Sequence, residues 1–150
     1  MTPAVSETPP FHPAAADPAA GAISPPVRWT GRALSAIAVL FLAFDATMKL
    51  LQLSVAVEGT TTLGYPASVV LPLGIVQAIC LVLYVVPRTS VLGAVLWTGY
   101  LGGAIATHVR LENPLFTHVL FPIYVALLLW GGLWLRDRRL RALLPLMKGG

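Results

Sequence analysis

The sequence predicts an all-α integral membrane protein, a four-helix bundle preceded by a disordered Pro/Ala-rich N-terminal tail. Three observations support this fold class. Of the 150 residues, 57% are hydrophobic and only 11% are charged, whereas soluble domains carry about 25% charged residues. Four apolar runs of about 20 residues, the length that crosses a bilayer, follow one another. The basic residues cluster at the ends of these runs. The composition therefore excludes a water-soluble globule.

The first 27 residues differ in composition from the rest of the chain. They hold seven of the thirteen prolines and almost no side chain large enough to build a core. Such a segment cannot offset the entropy lost on ordering, so 1–27 is predicted to be a disordered tail. It also lacks the basic start and continuous apolar stretch of a signal peptide, so no cleavage is expected. A short C-terminal tail is predicted over 146–150.

The membrane domain is predicted over residues 28–145. Its spans are expected at about 33–53, 67–86, 90–107 and 114–135. At about 1.5 Å per residue, each matches a hydrocarbon core about 30 Å thick. Asn113 and Pro114 are expected to start the fourth span as N-cap and first helical residue, because proline has no N–H to lose there. The segment 54–64 is interpreted as a short interfacial helix or turn.

The distribution of Lys and Arg predicts the orientation. Eight of the ten lie on the side that carries both termini, and the other two, Lys49 and Arg110, lie on the opposite side. The positive-inside rule then predicts cytoplasmic N- and C-termini in a multi-pass protein of the cell (inner) membrane. Because the basic residues are confined to these edges, they indicate topology and contact with the lipid bilayer, and no nucleic-acid partner is expected. The eight residues are Arg28, Arg32, Arg88, Arg136, Arg138, Arg139, Arg141 and Lys148.

Two charged residues interrupt the first span. Asp45 and Lys49 are four residues apart, so they share a helix face and can neutralise each other. Ionisable groups inside a membrane are unfavourable by a few kcal/mol and are candidates for a functional site. Two interpretations remain open from the sequence: a structural ion pair that fixes the first helix, or a polar site that opens to the outer face.

A second group of polar residues lies between the third and fourth spans, on the same outer side as Asp45 and Lys49. We expect the two groups to converge on one outward-facing pocket. Its candidate residues are Asp45, Lys49, His108, Arg110, Glu112 and His118. Such a pocket would suit a quinone or a lipid headgroup. A hydrogen-bonded loop that locks the two helices explains the same residues. His108 and His118 with Glu112 or Asp45 are the residues that could supply three metal ligands, but no HxxxH or ExxH spacing occurs on one helix, so no metal site is predicted.

The third span contains small residues four positions apart, Gly99 and Gly103. This spacing lets helix backbones approach closely in lipid, so it predicts helix packing. The sequence does not decide whether the packing occurs within one bundle or between the protomers of a homo-oligomer. Gly131 and Gly132 on the fourth span are candidates for the matching surface.

Four segments resemble the DoxX-like family of small bacterial membrane proteins. They are FLAFDATMKL (41–50), TLGYPASVVLPLGI (62–75), PRTSVLGAVLWTGYLGGAIATHVR (87–110) and LWLRDRRLRALLP (133–145). The resemblance covers about residues 30–145 and implies a four-helix membrane protein. The founding member of the family is named as a small subunit of a quinone-linked sulfur-oxidising oxidoreductase, and some relatives are linked to oxidative-stress complexes with soluble enzymes. The resemblance supplies no set of catalytic residues.

Three hypotheses for the function follow from these observations. The favoured one is an accessory or anchoring subunit of a membrane redox system, with a quinone as candidate cofactor and a soluble or membrane oxidoreductase as partner. A stand-alone enzyme is not expected, because the chain carries no redox motif of its own. The alternatives are a protein that binds a lipid or small molecule in the outward-facing pocket, and a small proton-coupled transporter that uses Asp45.

Overall fold

The computed structural model describes residues 23–143, and every regular element in that range is helical. The helices are α1 (Pro25–Leu50), α2 (Ser54–Thr62), α3 (Val70–Val85), α4 (Ser90–Arg110), α5 (Phe121–Arg136) and α6 (Arg138–Leu143). A 3₁₀ turn, Ala67–Val69, leads into α3, and a π-helical turn, Leu115–Val119, leads into α5. The predicted C-terminal tail and most of the N-terminal tail lie outside the described residues.

Four helical stretches are long and apolar enough to cross a membrane, as predicted. They are Pro25–Leu50, Ala67–Val85, Ser90–Arg110 and Leu115–Arg136. The chain is therefore a multi-pass membrane protein with an all-α fold. The segment interpreted as a short helix or turn contains α2, which joins the first two spans.

The four long helices form a ring in which each one packs against two neighbours. α1 and α4 both contact α3 and α5. The side chains that meet inside the ring are fully buried, among them Tyr84, Trp97 and Leu129. Large apolar side chains such as Leu40 and Val82 are exposed on the outside. This arrangement suits a bundle in lipid, where exposed apolar side chains carry no hydrophobic penalty.

Glycines permit the closest helix contacts. Gly31 of α1 and Gly132 of α5 face each other, and a Cβ added to Gly132 would lie 2.5 Å from the Ser35 hydroxyl oxygen. Gly93 of α4 lies directly against the backbone of Tyr84 in α3. Gly132 therefore packs against α1, and the expectation that it matches a glycine surface on the third span was wrong. The close contact depends on the crossing of α1 with α5, which the Gly99 spacing does not reveal.

Tyr84 connects three helices through hydrogen bonds. Its hydroxyl donates to the Leu129 carbonyl oxygen of α5 at 2.8 Å. Since that proton is used, the Ser35 hydroxyl of α1 donates to the Tyr84 oxygen, at 3.0 Å. All three groups are buried. This small network joins α1, α3 and α5 in the half of the bundle that lies away from α2.

Replacing Tyr84 with phenylalanine is expected to lower the free energy of unfolding by about 1–3 kcal/mol, because the Leu129 carbonyl loses its donor and Ser35 its acceptor. Thermal unfolding in detergent micelles, followed by circular dichroism, measures the change. Tyr124 is exposed on α5, so Tyr124→Phe is the matched control and is expected to change the melting temperature little. Equal effects of the two substitutions would contradict a role for the network.

The first span differs from its predicted boundaries at both ends. α1 begins at Pro25, so the prediction that residues 25–27 belong to a disordered tail was wrong. Pro25 and Pro26 occupy the first helical positions, where a missing N–H has no effect. The helix ends at Leu50, three residues early, because Gln52 has a left-handed backbone with φ 49°. The Leu53 N–H then bonds the Met48 carbonyl, as in a Schellman terminus.

The start of the fourth span also differs from the prediction. Pro114 is the N-cap residue, with an extended ψ of 130°, and Asn113 lies outside the helix. The following turn has π-helical bonds, with the Leu120 N–H bonded to the Leu115 carbonyl at 2.8 Å. Pro122 lacks the N–H that would bond the His118 carbonyl, so the turn before it need not keep α-helical spacing. The predicted cap, Asn113 with Pro114 as first helical residue, was wrong by one position.

Candidate functional site

A cavity of about 400 Å³ lies between α1, α3, α4 and α5, in the half of the bundle next to α2. Its lining comes from all four spanning helices and from the segment that joins α1 to α3. The cavity has a polar end, formed by Asp45, Lys49 and Gln77, and two other kinds of wall. One wall is aromatic and the other consists of small residues of α4.

The polar end is a hydrogen-bonded group of three side chains. The Lys49 ammonium donates to both carboxylate oxygens of Asp45, each at 2.5 Å, and forms the ion pair that their spacing predicts. Gln77 of α3 donates its side-chain N–H to Asp45 Oδ2 at 2.6 Å. Because a carboxylate only accepts hydrogen bonds, this contact fixes the orientation of the Gln77 amide. The Asp45 charge is thus satisfied from two helices.

Two buried polar atoms of the cavity lining have no hydrogen-bond partner among the described residues. They are Gln77 Oε1, an acceptor, and Trp97 Nε1, a donor. The two side chains are 1% and 0% exposed, respectively. Buried polar atoms are bonded in the large majority of cases, so each unpaired one needs an explanation. An unused acceptor and an unused donor beside one cavity are what a polar ligand group would satisfy.

Aromatic side chains form a second wall of the cavity. Phe41 and Phe121 meet edge to face with ring centroids 5.4 Å apart, and Trp97 and Tyr100 meet in the same way at 5.5 Å. Tyr65, from the segment before α3, is held by a 2.7 Å hydrogen bond to Thr107. Edge-to-face pairs fix ring orientations, so these rings form an ordered apolar surface that suits a flat ligand ring.

The small residues Gly99 and Gly103 form the third wall. A Cβ added at either position would meet no heavy atom within 4 Å in the described part of the chain. Neither glycine packs against another helix of the bundle, although their spacing is typical of packing. Both line the cavity, whereas the neighbouring Gly102 does not. Within this chain their effect is to leave space, and a contact between protomers stays a prediction.

The predicted polar residues divide between the cavity and its outer edge. Asp45, Lys49 and His108 line the cavity. His108 Nδ1 accepts a 2.8 Å hydrogen bond from the Asn113 amide. The His118 ring lies 5.6 Å from the His108 ring, centroid to centroid, but is not part of the lining.

Arg110 and Glu112 are placed at the edge of the bundle. The Arg110 guanidinium donates to the Leu63 carbonyl at 2.8 Å, tying α4 to the segment after α2. Glu112 is exposed, and its left-handed φ of 53° ends α4. Three of the six predicted residues thus line one cavity, whereas Arg110, Glu112 and His118 do not. Within residues 23–143, no three His, Cys, Asp or Glu side chains come together as a metal site requires.

Several cavity residues do not stand out as site residues in the sequence. Gln77 carries a signal, since a polar amide in the middle of an apolar span needs a partner in a neighbouring helix. The aromatic residues carry none, because aromatic side chains on a spanning helix face lipid as readily as a cavity. They are Phe41, Tyr65, Trp97, Tyr100 and Phe121.

A comparison with family models matched residues 33–132 to the DoxX-like family. The match spans two thirds of the chain. The chain belongs to the DoxX-like family. This confirms the resemblance seen in the sequence segments, and the cavity lining of this DoxX-like protein, from Phe41 to Val125, falls within the matched residues. Comparisons with curated proteins and with solved structures found no match.

Proposed function

We propose that this DoxX-like protein binds a small amphiphilic molecule with a flat, hydroxyl-bearing ring, such as a hydroquinone, in the membrane cavity. It thereby serves as an accessory or anchoring subunit of a quinone-linked redox system. The observation that carries the proposal is the meeting of aromatic walls with two unpaired polar atoms in one cavity of about 400 Å³. Small-molecule sites have volumes of about 300–1,000 Å³ and the same mixture of apolar walls and few polar groups.

The polar atoms select the oxidation state of the ligand. Gln77 Oε1 needs a donor and Trp97 Nε1 needs an acceptor. Hydroxyl groups of a ligand can donate to an acceptor such as the first and accept from a donor such as the second, whereas a quinone carbonyl can only accept. A ligand that leaves the Gln77 oxygen unpaired loses about 1–3 kcal/mol. We therefore expect a hydroquinone to bind at least about fivefold more tightly than its quinone.

Proton-coupled transport through Asp45 is less well supported. Its carboxylate already accepts hydrogen bonds from Lys49 and Gln77. Both carboxylate oxygens are held by hydrogen bonds from these two side chains, which makes the group a fixed part of the bundle. The proposal therefore gives the Asp45–Lys49 pair a structural role, holding Gln77 in position.

Replacing Gly103 with leucine is expected to weaken binding of a decyl-substituted hydroquinone by at least about tenfold, because the new side chain fills the cavity. Purified protein in detergent micelles is titrated without oxygen, and binding is followed by tryptophan fluorescence, since Trp97 lies in the cavity wall. The dimethyl ether of the same hydroquinone keeps the ring but has no O–H to donate. It is expected to bind as weakly as the quinone.

Gly102→Leu is the matched control for this experiment. It adds the same side chain one residue away on α4, at an exposed position outside the cavity. Its hydroquinone affinity is expected to match that of the wild type. Equal loss in the two variants, or unchanged binding in Gly103→Leu, would contradict a site in the cavity. Equal binding of the hydroquinone and its ether would contradict the role of Gln77.

The redox partner is tested separately. Native mass spectrometry of the protein, extracted gently from its own membranes, is expected to show a soluble or membrane oxidoreductase, or a bound quinone or hydroquinone. A homo-oligomer that carries only phospholipid would overturn the accessory role.

We also propose that both termini are cytoplasmic. Among the described residues, seven basic side chains lie at the end of the bundle that holds the start of α1 and the end of α5, against two at the other end. A reporter fused after Gly150 is expected to report the cytoplasm, and one inserted next to Glu112 the outer side. The reverse pattern would show that the cavity lies in the cytoplasmic half of the membrane.

A further inference from the structure

A second cavity, of about 380 Å³, lies at the opposite end of the bundle from the aromatic one. Five arginines and a single acidic residue line it, which leaves four net positive charges around a small volume. The arginines are Arg28, Arg32, Arg136, Arg138 and Arg139, and the acid is Asp137. We call this site the arginine pocket. All five arginines lie outside the residues matched to the family model.

The arginines converge because three chain segments meet here. Arg28 and Arg32 are four residues apart and so share one face of the first turns of α1. Arg136 is the last residue of α5, and Arg138 begins α6. Pro87 from the turn after α3 and Ser90, the first residue of α4, also line the pocket. The pocket therefore depends on the packing of the bundle and is more than a local run of basic sequence.

The one acid of the pocket is already engaged. Asp137 Oδ1 accepts a 2.8 Å hydrogen bond from the Arg139 backbone N–H and so caps α6. In the part of the chain that the structure describes, the one salt bridge is that of Lys49 with Asp45. None of the five guanidinium groups is thus paired with a carboxylate there. Five cations with one carboxylate among them still repel, and a bound anion would relieve that repulsion.

Arg136 adds an independent observation. Its Nε atom is buried and has no hydrogen-bond partner among the described residues. The guanidinium carbon lies 5.5 Å from the centre of the Tyr84 ring, so a cation–π contact holds the group in position. Tyr84 is itself fixed by its hydrogen bonds to α1 and α5. A fixed guanidinium with an unused N–H is consistent with a site that binds an anion.

By contrast, Arg141 shows how an arginine of the same region is satisfied when no ligand is needed. Its guanidinium donates to the carbonyls of Trp134 and Leu135 at the end of α5, at 2.8 and 3.1 Å. It also lies over the Trp134 ring at 4.6 Å. Arg141 does not line the arginine pocket. The pocket arginines differ from Arg141 in the absence of guanidinium hydrogen bonds to other described residues, although Arg32 lies over the Trp29 ring at 5.2 Å.

We propose that the arginine pocket binds the phosphate group of an anionic phospholipid. Guanidinium groups match phosphate oxygens in a two-pronged geometry, and several can share one phosphate. The pocket lies at the end of the spanning helices, the level of the lipid headgroups, and its lining includes the apolar Leu133 and Pro87. Basic pockets between spanning helices are known to hold anionic headgroups. The site is separate from the aromatic cavity and does not depend on the ligand proposed for it.

The test is native mass spectrometry of the full chain in micelles, titrated with phosphatidylglycerol or phosphatidylcholine of identical acyl chains. Wild type is expected to retain phosphatidylglycerol at least about tenfold more tightly. The double variant Arg28→Gln/Arg32→Gln, at exposed positions on α1, is expected to lose that preference, and so is Arg136→Gln. Arg136 also contacts Tyr84, so Arg136→Gln can impair folding as well as lipid binding. The double variant on α1 tests lipid binding without removing that contact.

Arg88→Gln is the matched control. Arg88 is an exposed arginine at the same end of the bundle, but it is not part of the pocket lining. It is expected to keep the preference for phosphatidylglycerol. Loss of the preference in Arg88→Gln as well would show a general surface effect and overturn the proposal. Inorganic phosphate is titrated in parallel. Saturation by phosphate alone, with no preference between the two lipids, would overturn the assignment to a lipid.

Discussion

Gly93→Val is expected to destabilise the bundle by about 3 kcal/mol or more, the upper part of the range for overpacked cores. The Cβ of the new side chain would overlap the backbone of Leu83 and Tyr84 in α3. Backbone cannot move aside as a flexible side chain can, so α3 and α4 must separate. Separation also disturbs Tyr84, whose hydroxyl joins α1 and α5. Thermal unfolding in micelles, together with the fraction recovered as monodisperse protein, measures the effect.

The control lies on the same helix. Gly102→Val places the same side chain where a Cβ would meet no heavy atom within 4 Å among the described residues. Both substitutions remove a glycine from a helix, so backbone propensity changes equally in the two variants. Gly102→Val is expected to change the melting temperature little. Comparable destabilisation by Gly93→Val and Gly102→Val would contradict a close contact between α3 and α4 at Gly93.

Asp45→Leu is expected to destabilise the protein by about 3 kcal/mol, the lower end of the range for buried pairs, because it leaves the part-buried Lys49 ammonium without its counter-charge. Gln77 loses the acceptor of its side-chain N–H at the same time. Denaturant titration in micelles, followed by the circular dichroism of the helices, measures the free energy of unfolding. A low yield of folded protein would be the extreme form of the same result.

The double variant Asp45→Leu/Lys49→Met decides between an ion pair and a mere packing effect. Removing both charges leaves no isolated ion, and replacement of a buried pair by apolar residues is often neutral. We expect the double variant to recover most of the stability lost by Asp45→Leu, an interaction energy that a double-mutant cycle isolates. Additive losses would contradict the structural role of the pair. Recovery would also show that the bundle folds without the charged pair of this span.

The sequence predicts the spans and the ion pair because both depend on local spacing. A run of about 20 apolar residues is long enough to cross a membrane whatever its neighbours are. Asp45 and Lys49 meet because one helix turn separates them. Gln77 joins them only through the packing of α3 on α1. That contact connects residues 32 positions apart, and no local rule predicts it.

The roles of the glycines needed the structure as well. Gly99 and Gly103 have the spacing of a packing surface but face a cavity, whereas Gly31 and Gly93, which have no second glycine four residues away, make close contacts. The difference depends on where helices cross, and crossing points follow from the whole set of contacts. The arginine pocket has the same origin. Its basic residues are evident in the sequence as a topology signal. Their convergence requires the start of α1, the end of α5 and the start of α6 to lie at one level of the bundle.

The unequal lengths of α1 and of the span that includes α3 have a consequence for the thickness of the surrounding bilayer. α1 has 26 residues and Ala67–Val85 has 19, or about 39 Å and about 29 Å at 1.5 Å per residue. α1 can tilt in a thin bilayer or extend its arginine-bearing first turns into the headgroups. The shorter span has no extra length with which to adapt to a thicker bilayer, because it only just crosses a hydrocarbon layer about 30 Å thick. The protein therefore tolerates a bilayer that is thinner than its longest helix better than one that is thicker than its shortest span. We expect it to be depleted from thick, ordered membrane regions.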